Sequence, residues 1–128
     1  YINFLFWLLF ACFATLGALL RFGLGAISAR YLLPYSAIPV GTFVANGLGS
    51  FLIGYLYSAD LGLRSGLVPQ LVTLLMVAFL GSLTTFSSFA LDTMRMIQSG
   101  HLYSAMANVL LTNFTCFWLC YWGMTVKK

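Results

Sequence analysis

Carboxylates are almost absent from this chain: Asp60 and Asp92 are the only two in 128 residues, beside six Lys and Arg and a single histidine, His101. With no nucleophile beside a base, no metal-ligand cluster and no phosphate-binding loop, enzymatic activity is not expected. Six basic residues scattered over a hydrophobic chain form no polyphosphate-binding patch, so the net charge of +4 does not point to nucleic acid. Cys12, Cys116 and Cys120 all fall in apolar runs, with a spacing that matches neither a zinc knuckle nor a redox pair. Their odd number argues against a complete disulfide framework.

What is present is apolar surface. Hydrophobic residues make up 62% of the chain, charged residues 6%, and the mean hydropathy is +0.99; no soluble domain of this length has that composition. Four apolar stretches, about 4–27, 38–57, 67–97 and 102–126, are long enough for helices that cross a bilayer core, which takes roughly 20 residues each. Turn chemistry collects between them, with two prolines in 30–39, Asp60, Gly62 and Arg64 in 58–66, and Gln98-Ser99-Gly100-His101. The first stretch is too long for a cleavable signal peptide and lacks a small-residue cleavage pattern, so it is expected to remain as a span. The expected fold is an all-α membrane protein of one transmembrane domain, 1–128.

Four spans put Arg64, Lys127 and Lys128 on one side of the membrane and Arg21, Arg30 and Arg95 on the other. Because Lys and Arg bias sets orientation, a tie predicts a weak preference, including insertion both ways round.

The third stretch holds Gly81-Ser82-Leu83-Thr84-Thr85-Phe86-Ser87-Ser88-Phe89 where a spanning helix should be least interrupted. Gly81 supplies backbone freedom, and the hydroxyls of Thr84, Thr85, Ser87 and Ser88 can cap a restarted helix or solvate a ligand. This pattern predicts a helix broken mid-membrane. Lipid cannot hydrogen-bond the freed backbone groups, so such a break survives only against protein or a water-filled path, and its carbonyls can hold a small cation such as Na⁺ or only water. The bland alternative is Ser and Thr acting as packing between spans.

Phe86 and Phe89, three apart, share a face of a restarted helix, and their positive ring edges can stabilise a dehydrated anion. Ordinary packing is the rival for any Phe pair. Asn46, near the middle of the second span, must find partners for its amide: an anion, a carbonyl of the broken helix, or another helix. Ser104, Asn108, Thr112 and Cys116 recur every four residues along the fourth span, drawing a weakly polar stripe that can line a path or form an interhelical seam. Arg21 lies roughly 26 Å along the first helix from Phe4, where it can snorkel or concentrate anions at a pore mouth. Asp92, the only acid within the spans, is expected to pair with Arg95 or to sit in a solvated vestibule.

Together, Gly17-Ala18-Leu19-Leu20-Arg21, Gly41-Thr42 through Asn46, and Gly81 through Phe89 resemble the fluoride channel family, Fluc or CrcB. The likeness covers nearly the whole chain in order, and the third motif is its most specific part. It implies passive, fluoride-selective export across a bacterial plasma (inner) membrane by an antiparallel homodimer with two pores and a central Na⁺. Carried over position by position, Gly81 and Thr84 match the family's Na⁺-coordinating carbonyls. Phe86, Phe89 and Asn46 match its pore residues, Ser87 a motif hydroxyl, and Asn108, Thr112 and Cys116 its polar track; Arg21 matches its vestibule arginine. Ser82, Ser88 and Asp92 stand where Gly, Thr and Glu are usual, and Cys116 is a poorer donor than Ser. Two other classes predict different residues. A small dual-topology, proton-coupled drug exporter would depend on an ionisable cavity residue, for which Asp92 is the candidate, and an accessory subunit would use Asn46, Thr84 and Phe86 only for packing.

Overall fold

The computed structural model describes residues 3–31, 38–59 and 69–126. Among them every regular element is helical: α1 (Phe4–Tyr31), α2 (Val40–Ser58), α3 (Pro69–Thr73), a π-helical segment (Leu74–Leu80), α4 (Gly81–Leu83), α5 (Phe86–Gln98) and α6 (Leu102–Thr125). Four spans long and apolar enough to cross a membrane result, the third being the composite run Pro69–Gln98. Asp60, Arg64, Lys127 and Lys128 lie outside the described residues, as do most of the two longer expected loops.

Local chemistry accounts for the ends. The Asn3 side chain accepts from the Phe6 amide at 3.0 Å and opens α1. That helix continues four residues past the expected end at Ile27, because nothing in Ser28-Ala29-Arg30-Tyr31 breaks it. Arg30, in its last turn, faces the negative end of the helix dipole. α2 begins two residues later than expected, after Pro39. Between α5 and α6, Gly100 adopts φ 80°, the left-handed conformation suited to glycine. The Gly100 amide donates to the Ile97 carbonyl (3.0 Å) and the His101 amide to the Met96 carbonyl (2.8 Å), a Schellman closure that turns the chain back on itself.

Packing relies on small residues. The buried core is compact, Ala45, Leu80 and Leu83, with Leu24, Leu56 and Phe79 against it. α2 and α6 approach backbone to backbone, since a Cβ at Gly54 would overlap the Cys120 carbonyl and one at Gly123 would overlap the Phe51 carbonyl. Close approach of this kind is how spanning helices gain dispersion energy where lipid offers no hydrophobic drive. Large apolar side chains, Trp7, Phe22, Leu110 and Phe117 among them, point outward instead, which suits a hydrocarbon solvent.

Candidate functional site

The third span does break, over a shorter length than its sequence implied. Only Thr84 (φ −81°, ψ 152°) and Thr85 (φ −152°, ψ 116°) are extended, and both are β-branched residues at ease in that conformation. Gly81 is helical, at φ −62° and ψ −31°, so the backbone freedom expected of it is not what opens the helix. The widened π turns of Leu74–Leu80 just before the break had no signal in the hydrophobic pattern; such turns collect at functional sites.

Four side chains around the break, those of Arg21, Asn46, Thr84 and Thr85, bond backbone groups there. Asn46 accepts from the Thr85 amide at 2.7 Å and donates through Nδ2 to the Thr85 carbonyl at 3.1 Å. Arg21 donates through Nε to the Ser82 carbonyl at 3.1 Å, placing a cation at the negative end of the first half-helix. The Leu80 carbonyl accepts from both the amide (3.0 Å) and the hydroxyl (3.1 Å) of Thr84. Thr85 caps α5: its hydroxyl oxygen accepts from the Ser88 amide at 3.2 Å, donates to Ser88 Oγ at 3.1 Å and lies 3.2 Å from Ser87 Oγ. In an unbroken helix the Thr85 amide would close onto Gly81; its diversion to Asn46 leaves the Gly81 oxygen without that partner.

Two cavities flank the break. One, about 360 Å³, is lined by Asn46, Gly81, Thr84, Phe86, Phe89, Thr112 and Cys116 among others. The second, about 440 Å³, is lined by Arg21, Thr42, Ser88 and the α1 face from Ala18 to Ala29. Thr85 belongs to both walls. The sequence named Thr85 only as one of four hydroxyls able to cap a restarted helix, and gave no sign that it would stand between two cavities.

The remaining expected residues divide between these places. Phe86 and Phe89 do share a face, with ring centroids 5.5 Å apart and planes tilted by 49°; Phe89 is 8% exposed and Phe86 77%. The α6 stripe splits. Asn108, fully buried, donates to Thr93 Oγ1 at 2.9 Å, and Thr93 donates to the Phe89 carbonyl at 2.8 Å, so this part is a seam to α5. Thr112, 3.3 Å from Asn108 Oδ1, and Cys116 face the first cavity. Ser87 is exposed beside Thr85. Asp92 accepts from the Thr42 hydroxyl at 3.0 Å, and among the described residues it forms no ion pair with Arg95, which is exposed. Thr42, named in the sequence only as part of a motif, thus ties α2 to α5. Among the described residues no cluster of three or more His, Cys, Asp and Glu could hold a metal ion.

Helices of this number and length, the third of them broken between two cavities, define a multi-pass integral membrane protein. The family model described as CrcB-like protein, Camphor Resistance (CrcB), matches residues 8–124, and the chain belongs to that family. A relative from Geotalea uraniireducens (strain Rf4), named "Fluoride-specific ion channel FluC", is 43% identical over 92% of this chain and 93% of its own. Relatives with the same name from Coxiella burnetii (strain Dugway 5J108-111) and Stutzerimonas stutzeri (strain A1501) are 36% and 44% identical, covering 88% and 77% of this chain and 89% and 77% of theirs.

Proposed function

We propose that this protein is a fluoride channel, passing the ion passively across a bacterial inner membrane as an antiparallel homodimer with two pores. The observation that carries the reading is the pair of cavities meeting at Thr85; the relatives' names supply the ion. Fluoride is small and strongly hydrated, so a path for it must replace water with close donors. The N-terminal turn of α5 offers free amides at the positive end of its dipole. Ser87 and Ser88 offer hydroxyls, and Asn46, with one Nδ2 hydrogen given to Thr85, keeps a second. The edges of Phe86 and Phe89 extend this surface without formal charge. Thr112 and Cys116 continue it along α6, with Asn108 holding their helix against α5. On the other side of Thr85, Arg21 raises the local anion concentration in its vestibule.

Gly81, Phe86 and Ser87 are exposed in the single chain, and a second copy would close that open side. The Gly81 and Thr84 carbonyls would hold Na⁺: hard oxygen donors at a helix break suit such a cation, and the Gly81 oxygen has lost its helical amide. Bound there, the ion supplies a fixed positive charge against the negative end of the first half-helix.

Reconstituted protein in liposomes, read with a fluoride electrode under a potassium-valinomycin potential, tests this. Rapid efflux of fluoride but not chloride, lost when Na⁺ is replaced by a bulky organic cation, is the expected result. Efflux no faster than from protein-free liposomes, or drug uptake driven by a pH gradient and abolished by Asp92→Asn, overturns it.

A further inference from the structure

Gly49 stands one helical turn beyond Asn46 on α2, so the two share a face that meets the break. Asn46 holds the backbone of Thr85, and Gly49 meets the side chain of the preceding residue. A Cβ at Gly49 would overlap Thr84 Cγ2; with that methyl set aside, the next atom is Thr84 Cβ at 3.7 Å, ordinary contact. The Thr84 hydroxyl is committed to the Leu80 carbonyl at 3.1 Å, which fixes the rotamer and sends the methyl into the gap on α2.

We infer that Gly49 is a positioning residue for the ion-binding carbonyl of Thr84, acting through the Thr84 methyl; this rests on the Na⁺ reading above. The gap and the Asn46 amide hold consecutive residues of the break from one helix face. The direction of the Thr84 carbonyl follows from its ψ of 152°, and a side chain at position 49 enters only by turning the Thr84 side chain off its bond to Leu80 or by pushing its backbone off that angle. Gly49 touches no ion itself. The same contact explains why α2 carries a glycine there beyond the need for close helix approach, since at this position the neighbour is one side-chain methyl and not a backbone.

A double-mutant cycle over Gly49→Ala and Thr84→Ser isolates the contact, because serine keeps the hydroxyl bonded to Leu80 and lacks the methyl. The half-saturating Na⁺ concentration for fluoride efflux is measured for all four proteins. Gly49→Ala alone is expected to raise it roughly 10- to 100-fold, the loss usual when support behind a metal ligand is removed. In the Thr84→Ser background the same change is expected to shift it by less than about 2-fold, as befits sites whose coupling has been deleted. Equal effects in both backgrounds, or no effect in the parent, overturn the inference. If the parent's efflux proves independent of Na⁺, the ion reading falls, and the efflux rates of the same cycle still decide the role of Gly49: rescue by Thr84→Ser supports it and additivity refutes it. Should Gly49→Ala fail to assemble by size-exclusion chromatography, restored assembly in the double variant supports the contact, and its absence sinks it.

Discussion

Replacing Asn46 with alanine strands the amide and the carbonyl of Thr85 at once, since both bond to this one side chain, at 2.7 Å and 3.1 Å. A buried backbone group left without a partner costs about 1–3 kcal/mol, so two cost roughly 2–6 kcal/mol. Thr85 lines both cavities, and water reaching them should re-solvate part of what is lost, placing the expectation at about 2–4 kcal/mol. Reversible unfolding in mixed micelles, followed by the fluorescence of Trp118 and Trp122, measures that number. In Asn46→Asp an ionised carboxylate keeps the bond from the Thr85 amide but turns a buried negative oxygen toward the Thr85 carbonyl, so its stability loss should be at least that of alanine, and it sets a negative charge beside the path. Fluoride efflux should therefore fall further in Asn46→Asp than in Asn46→Ala. An alanine variant that unfolds within about 1 kcal/mol of the parent and conducts normally would refute the argument that this amide holds the break.

Phe86→Leu should lower fluoride efflux while leaving the fold of each chain nearly unchanged, because the ring is 77% exposed in the single chain; Phe89→Ala, at 8% exposure, should also cost about 3–5 kcal/mol in the same unfolding assay. Gly54→Ala and Gly123→Ala each push a methyl into the facing backbone and should destabilise by about 1–3 kcal/mol. Gly23→Ala meets no atom within 4 Å and should be neutral or stabilising by up to about 1 kcal/mol through helix propensity. Arg21→Gln should reduce efflux and flatten its dependence on ionic strength, whereas Arg21→Lys should keep that dependence, because steering follows charge; equal slopes for both variants and the parent would remove Arg21 from the path.

Composition and periodicity were enough to establish four membrane-crossing helices and the interruption of the third, because lipid tolerates few charges and because Thr and Ser crowded around a glycine mark irregular backbone. Residue order also drew attention to Asn46, Phe86 and Phe89, whose types are unusual or paired at helical spacing. It could not tell that Gly81 stays helical while Thr84 and Thr85 open, since that choice depends on which amide finds a better acceptor elsewhere, and the acceptor is Asn46, 39 residues away. Nor could the α6 stripe be divided from its spacing alone. Asn108 belongs to a seam and Thr112 to a cavity because α5 meets the helix at Asn108 while Thr112, one turn on, faces the space between α2, α6 and the break. Partners distant in sequence are chosen by packing, and only the assembled helices bring Arg21 to Ser82 and Asn46 and Gly49 to the two extended residues after it.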